Sequence, residues 1–573
     1  MRFSYSALFV TLFLGATIAQ ESPTICTVDT AITPPWVAPR WMRNGQVIPI
    51  ENSSTMTTIT SLAVVNVTGC CALEMRNEET FVLSPTQIGQ MPQMKEEEVL
   101  KVLEYAKEAW KGGSGEWPQM SLGERVKAIR VFVNILQDKR EQIINVLMWE
   151  IGKNINDATA EFDRTMLFID KLIETIQSDP EFNADWQSIG DIRAFVRRAA
   201  IGIIMCLGPY NYPLNETYAT LIPALLMGNI VVMKIPTVGG LSHLLTMEAF
   251  SKALPKGTIH FVSGSGRTTM PPLMASGSID GLAFIGGSRA ADELIRQHPS
   301  PHRLKLFLQL EAKNMGIFLP DLFQEKSYAL LETALNEAVT GTTSYNGQRC
   351  TALKLLFVPT ANANVFVKKF VEKINTLRIG LPWHTNGGIS HITPLPNQQR
   401  IIYMKELIDD AVSKGATVVN KNGGTIIGGP NSTLMVPAVL YPVTSSMKVY
   451  HEEQFGPVIP IVPYDTLETV LSYGREGIYG QQVSIFTSEN DAPTAASLLD
   501  HFSTIFGKIN INSQCGRSPD NLVFSGRRSS AMGVMSIKYA LQEFSVPTAV
   551  VYKEMNRDIV NEIQKSSKFL EAL

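Results

Sequence analysis

Cys350 follows the turn Ser344-Tyr345-Asn346-Gly347-Gln348-Arg349 and stands directly beside a cation, Arg349. A thiol on a turn next to a positive charge is a candidate nucleophile. The thiolate is the form that attacks carbon, and a neighbouring cation lowers the thiol's pKa. Without its surroundings the same residue reads as a small buried hydrophobe, the commoner use of a lone cysteine. Three other stretches carry ligand-binding chemistry. Lys234-Ile235-Pro236-Thr237 offers a cation and a hydroxyl. Ser263-Gly264-Ser265-Gly266-Arg267 offers small residues where backbone amides can approach a phosphate. Ala283-Phe284-Ile285-Gly286-Gly287-Ser288 ends an apolar run in two glycines and a serine. The second of these is not the dinucleotide fingerprint, because GxGxxG fails at Thr269.

The elements around these stretches must place them together. A helical pattern over 325–339 precedes the cysteine and a strand-like run over 353–358 follows it. Upstream, apolar spacing of three and four predicts helices over 95–110, 122–137, 140–152 and 157–178. From residue 200 the pattern becomes strand, turn, helix, repeated: strands at 201–207, 230–235 and 259–262, helices at 215–227 and 240–253. Such alternation predicts a doubly wound α/β layer whose ligands lie at the carboxyl ends of the strands. Lys234, Gly264, Gly266, Gly286, Gly287 and Ser288 all fall at such ends.

Composition narrows the class. The 573 residues predict two or three domains. A net charge of −3, from 50 basic and 53 acidic residues without a long basic run, argues against nucleic acid as a partner. The 6 cysteines lack CxxC spacing, and prolines interrupt the His298/His302 pair, so no metal site is expected. Residues 1–20 have the charge, apolar core and small-residue exit of a secretory leader. No later stretch is apolar for long enough to predict a membrane span. Residues 21–90 read as an irregular extension with a short β-like patch at 62–67. Sequons stand at Asn52, Asn66, Asn215 and Asn431.

The blocks Gly208 to Pro213, Pro223-Ala224-Leu225 with Gly228-Asn229, Lys234 to Thr237, Phe284 to Ser288, Gly347 to Cys350, Glu452 to Pro457 and Phe524 to Gly533 resemble, in order, those of the aldehyde dehydrogenase superfamily. The resemblance runs from about 95 to about 553. Asn211-Tyr212-Pro213, Pro236-Thr237, Gly-Gln-Arg-Cys-Thr-Ala at the nucleophile, and Arg517 before Asp520 are similar to the branch of non-phosphorylating, NADP-dependent glyceraldehyde-3-phosphate dehydrogenases. The resemblance implies Cys350 as nucleophile, with Asn211 and the Cys350 N–H as oxyanion donors. It also implies Glu453 on the nicotinamide ribose with Phe455 nearby, and Tyr212, Arg349 and Arg517 on a substrate phosphate. A planar guanidinium suits phosphate because it donates two parallel hydrogen bonds. NAD-preferring relatives often carry Glu where Thr237 stands. Its absence beside Lys234 removes repulsion of a 2′-phosphate, so NADP is expected over NAD.

The family's proton-accepting glutamate aligns with Gln309, which cannot take a proton, while Glu311 replaces a glycine two residues on. Residues two apart in extended chain face the same side, about 6 to 7 Å apart, so Glu311 is the expected base. Ala291 stands where many relatives have a second glycine.

The expected architecture is an aldehyde-dehydrogenase-like α/β protein. A doubly wound cofactor domain spans 91–308 with a bridging arm at about 184–201. A catalytic domain spans 309–533, and a C-terminal bridging strand and tail span 534–573. The expected activity is oxidation of glyceraldehyde 3-phosphate to 3-phosphoglycerate with NADP. The alternatives are a non-phosphorylated aldehyde, or a secreted non-catalytic scaffold. The expected assembly is a homodimer or homotetramer. The leader points to the secretory route, whereas a catalytic thiol is better kept in a reducing compartment.

Overall fold

The strand–turn–helix run beginning at Ile203 builds a six-stranded sheet. Its order is Ala531–Met532, Lys305–Gln309, Gly281–Ile285, Ile203–Leu207, Ile230–Lys234, Ile259–Val262. All neighbours are parallel except Ala531–Met532, which pairs antiparallel with the strand end at Leu308 and Gln309. The computed structural model describes residues 33–50, 63–75, 81–383 and 388–571; the leader-like stretch 1–20 and Asn52 lie outside them. The inner parallel strands are largely apolar and buried on both faces, Ile230–Lys234 throughout, as parallel strands covered by helices require. Successive strands run outward from Ile203–Leu207 on one side and from Gly281–Ile285 on the other. The switch point therefore falls between Leu207 and Ile285, where the Asn211 turn and the Gly286-Gly287 turn emerge.

A second sheet has seven strands. Met315–Phe318 lies between Leu355–Pro359 and Gln482–Phe486, parallel to both. Cys350 lies just ahead of Leu355–Pro359. The strand Ala531–Met532, expected with the catalytic part of the chain, instead edges the first sheet.

The helices expected over 95–178 form with small boundary shifts: Glu96–Trp110, Leu122–Gln137, Arg140–Ile151 and Ile155–Ser178. Leu122–Gln137 starts where its chemistry dictates. Ser121 accepts the Glu124 N–H while the Glu124 side chain accepts the Ser121 N–H, a reciprocal cap worth about 1 kcal/mol. Its buried stripe is Val126, Ile129, Phe132, Val133 and Leu136.

Residues 21–90, read as irregular, contain two hairpins among the described residues. Arg40–Arg43 pairs with Gln46–Pro49 across Asn44 (φ +46°) and Gly45 (φ +76°). The long strands Ala63–Met75 and Phe81–Gln93 pair antiparallel with two register shifts. The long pair packs closely on the helix Arg140–Ile151: a Cβ at Gly69 would stand 2.8 Å from the Trp149 carbonyl oxygen. Ser545–Lys553 pairs along its whole length with Ile192–Ala200, which pairs with Gln187–Ile189. No described helix is long and apolar enough to cross a membrane.

Candidate active site

The turn before Cys350 is held from three sides. Tyr345 (φ +48°), Asn346 (φ +56°) and Gly347 (φ +71°) are successive left-handed residues, a conformation that side chains resist and that persists only where the surroundings enforce it. Here the Tyr345 hydroxyl donates to the Ile151 carbonyl at 3.0 Å. The Asn346 amide exchanges two hydrogen bonds with the Thr393 backbone, each 2.9 Å. A Cβ at Gly347 would stand 2.7 Å from the Gly456 carbonyl oxygen, so glycine is required there. The turn also reaches the first sheet: Asn211 Nδ2 donates to the Gln348 carbonyl and the Tyr210 hydroxyl to Gln348 Oε1, both at 2.8 Å. Asn314 Nδ2 donates to the Cys350 carbonyl at 2.7 Å.

Cys350, Tyr210 and Asn211 line one cleft of about 990 Å³ between the two sheets. It brings together Cys350, Asn211, Tyr212, Arg349, Arg517 and Glu453, and also Gly286, Gly287, Glu311 and Phe455. Asn211 is buried and spends one amide hydrogen on Gln348, leaving the other for the cleft. Tyr212 stands on the ammonium of Lys153, 3.4 Å from its ring centroid, and that lysine forms a buried ion pair with Glu161. Glu161 in turn accepts the Leu214 N–H at 3.0 Å, which fixes the turn carrying Asn211.

The Cys350 thiol is half-buried. Burial pushes its pKa up to about 12; the Glu216 and Glu453 carboxylates add to the rise and the Lys354 ammonium opposes it. The cation acting on the thiol is thus Lys354, against the expectation that Arg349 lowers its neighbour's pKa. Arg349 is turned away, donating to the Thr340 and Gly341 carbonyls at 3.3 and 3.2 Å and to Gln514 Oε1 at 3.1 Å. Lys354 also anchors Glu453 at 2.8 Å, and that carboxylate accepts the Ala312 N–H at 3.1 Å. Phe455 lies 4.7 Å from the same ammonium.

The end of the cleft around Arg517 holds charges that sequence reasoning missed. Glu216 pairs with Arg517 at 3.0 Å, and Asp520 joins Arg517 at 3.2 Å to Arg164, whose fork it accepts at 2.6 and 2.9 Å. Arg517 is buried, and its Nη2 has no partner. Asn215, one of the sequons, is 2% exposed and accepts from Arg517 at 3.2 Å. Glu216 had no local signal beyond opening a helix, and Arg164 lies far upstream on Ile155–Ser178.

Gln309 is buried with neither amide atom bonded. Glu311 lines the same cleft, and its carboxylate accepts the Ser288 N–H at 2.8 Å. Lys234, Thr237, Gly264, Gly266 and Ser288 are not among the cleft's lining residues. Ser288 opens the helix Ser288–Gln297, which buries Ala291. Lys234 is a buried cation whose Nζ is spent only on the Ile235 carbonyl, and burial brings its pKa down to about 8. Thr237 is exposed. Gly264 (φ +113°) needs its glycine, whereas Gly266 opens onto space.

Residues 75–550 match the aldehyde dehydrogenase family. The chain is 31% identical to the NADP-dependent glyceraldehyde-3-phosphate dehydrogenase of Streptococcus equinus over 84% of its own length and 96% of that protein's. It is 26% identical to the 3-sulfolactaldehyde dehydrogenase of Priestia aryabhattai, over 75% of this chain and 86% of that one. Among solved structures, the NADP-dependent glyceraldehyde-3-phosphate dehydrogenase of Bacillus halodurans C-125, complexed with NADP, superposes with a TM-score of 0.77 at 28% identity, covering 90% of this chain and 99% of that one. Sheet order, nucleophile turn and sequence similarity agree: the chain is an enzyme that belongs to the aldehyde dehydrogenase family.

Proposed function

We propose that the enzyme oxidises glyceraldehyde 3-phosphate to 3-phosphoglycerate with NADP, through a thiohemiacetal and a thioester on Cys350. The observation that carries the reading is Arg349. One residue from the nucleophile, its guanidinium hydrogen-bonds only neutral oxygens, and among the described residues no carboxylate is in direct contact with it, Asp157 acting on it from farther off. A guanidinium without a contact ion pair, lining the same cleft as the unpartnered Arg517 Nη2, suits a terminal phosphate.

The residues also fit NADP. Lys234 is a buried ammonium at a strand end with no counter-ion, and Thr237 leaves that end free of a carboxylate that would repel a 2′-phosphate. Gly264, Gly266, Gly286, Gly287 and Ser288 offer backbone to the remaining phosphates, and Glu453 with Phe455 lies on the nicotinamide side. Bound NADP supplies the acceptor for the hydride that leaves the thiohemiacetal carbon.

The chain's own residues do the rest. The Cys350 thiol gives its proton to solvent and, as thiolate, bonds the aldehyde carbon. The oxygen that becomes negative accepts from Asn211 Nδ2 and from the Cys350 N–H, each such donor being worth about 3 kcal/mol of barrier. Water then cleaves the thioester, and its proton passes to Glu311, since Gln309 has no basic site. Glu311→Ala should abolish steady-state turnover while sparing one rapid turnover; unchanged turnover with loss in Gln309→Ala would reverse the assignment.

A second reading, a non-phosphorylated anionic aldehyde such as a sulfonate, draws support from Glu216 and Asp520, which neutralise Arg517 and Arg164. A single negative charge needs less compensation than two. NADPH formation should be followed with glyceraldehyde 3-phosphate, 3-sulfolactaldehyde and unphosphorylated glyceraldehyde. The highest kcat/KM for the phosphate ester is expected; a higher value for either competitor refutes the first reading.

A further inference from the structure

Two groups in and beside the cleft make competing demands on one amide. The Ser288 N–H opens the ten-residue helix Ser288–Gln297 next to the Gly286-Gly287 turn. A helix start of this kind favours phosphate. That N–H already donates to Glu311 at 2.8 Å, and the other carboxylate oxygen lies over Gly287, 3.1 Å from where a Cβ would stand. The backbone on both sides of Glu311 is tied down: the Leu310 N–H bonds the Ser530 carbonyl at 2.8 Å and the Ala312 N–H bonds Glu453 at 3.1 Å. Only the side chain is free to leave. Next to it Gln309, 4% exposed and in the same cleft, has an amide with no partner on either atom.

We propose that Glu311 is a resident anion on the seat of the nucleotide's diphosphate: cofactor binding displaces its carboxylate from the Ser288 N–H, and the freed carboxylate is the one that serves the acyl group on Cys350. The inference rests on the NADP reading above and deepens it. Two anions cannot share one helix start in a partly desolvated cleft, because like charges brought together there repel strongly. The carboxylate is the partner that moves, since it hangs on a flexible stem from a fixed backbone. Residues two apart in extended chain face one side, so the Gln309 amide is a ready donor for the freed carboxylate. Occupancy of the nucleotide site and supply of the proton acceptor are thereby coupled through one side chain.

Titration calorimetry of the full-length enzyme without aldehyde tests this. NADP is compared with adenosine 2′-monophosphate, which carries the 2′-phosphate and lacks the diphosphate. Glu311→Gln keeps the shape and removes the charge. It should bind NADP at least about tenfold more tightly than wild type, as expected when a competing charge is removed, with adenosine 2′-monophosphate unchanged. Equal NADP affinity in variant and wild type would mean that Glu311 only caps the helix, and overturns the proposal. A gain of equal size for both ligands overturns it too, as a general charge effect. If wild type and variant both fail to bind NADP, the cofactor reading itself fails, an outcome separate from the other two. Glu311→Gly, which empties the seat altogether, should give the same gain and serves if the glutamine variant does not fold.

Discussion

Removing the Glu216 carboxylate should make Cys350 more reactive although Glu216 is no part of the nucleophile turn. Glu216 heads the charges that hold the thiol's pKa at about 12, after burial. A nearby charge typically moves a pKa by about one to three units, and Glu216→Gln also leaves Arg517 with less compensation. A fall of about one to two units multiplies the thiolate fraction at pH 8 by about ten to a hundred. Nucleophilicity declines with the pKa at a Brønsted slope of about 0.4–0.5, which leaves a net gain in alkylation rate of about three- to tenfold. The assay is iodoacetamide modification followed by peptide mass spectrometry across pH 7 to 10, with buried Cys206 and Cys515 as internal controls. An unchanged or slower rate at Cys350 would refute the electrostatic account. Faster labelling of all three thiols would point to loosened packing instead.

Three further outcomes follow from the geometry. Gly347→Ala forces a side chain to φ +71° against two carbonyl oxygens, at 2.7 and 2.9 Å, and should cost about 2 kcal/mol in urea unfolding with loss of turnover. His243 is buried with both ring nitrogens unbonded, and burial brings its pKa from 6.5 to about 3. The unfolded chain therefore takes up a proton first, and stability should drop as pH falls from about 6.5 toward 3, by up to about 5 kcal/mol. His243→Phe should flatten that drop in urea midpoints measured against pH. Val551 is 57% exposed on the arm strand. If that face joins subunits, Val551→Lys should reduce the mass seen by light scattering without changing the far-ultraviolet spectrum.

The parts of the fold legible in the sequence were those specified locally. Leu122–Gln137 carries its cap and its stripe within sixteen residues, and Ile259–Val262 is a short, largely apolar run between turn residues. The first hairpin was missed although Asn44-Gly45 between short runs is a strong turn signal. The long hairpin showed only as the patch at 62–67, because Ala63–Met75 and Phe81–Gln93 contain Asn, Gly, Gln and two prolines, residues that strands disfavour. Its strands exist through pairing with each other and packing on Arg140–Ile151. At the site, adjacency in sequence misled: Arg349 touches Cys350 covalently yet points away, while Lys354 acts on the thiol from four residues downstream. Glu216 and Arg164 became visible only when folding brought Arg517 and Asp520 to them.

The arm sets a timetable for synthesis. Ile192–Ala200 finds its long partner, Ser545–Lys553, roughly 350 residues later, and the edge strand Ala531–Met532 reaches the first sheet almost as late. At roughly 5–20 residues per second, a nascent chain carries an unpaired edge with exposed valine and isoleucine for roughly 20 to 70 seconds. Bare edges of this kind are templates for pairing with other chains. Slowing elongation downstream of residue 200 should therefore lower the soluble yield, and an upstream slowdown should not.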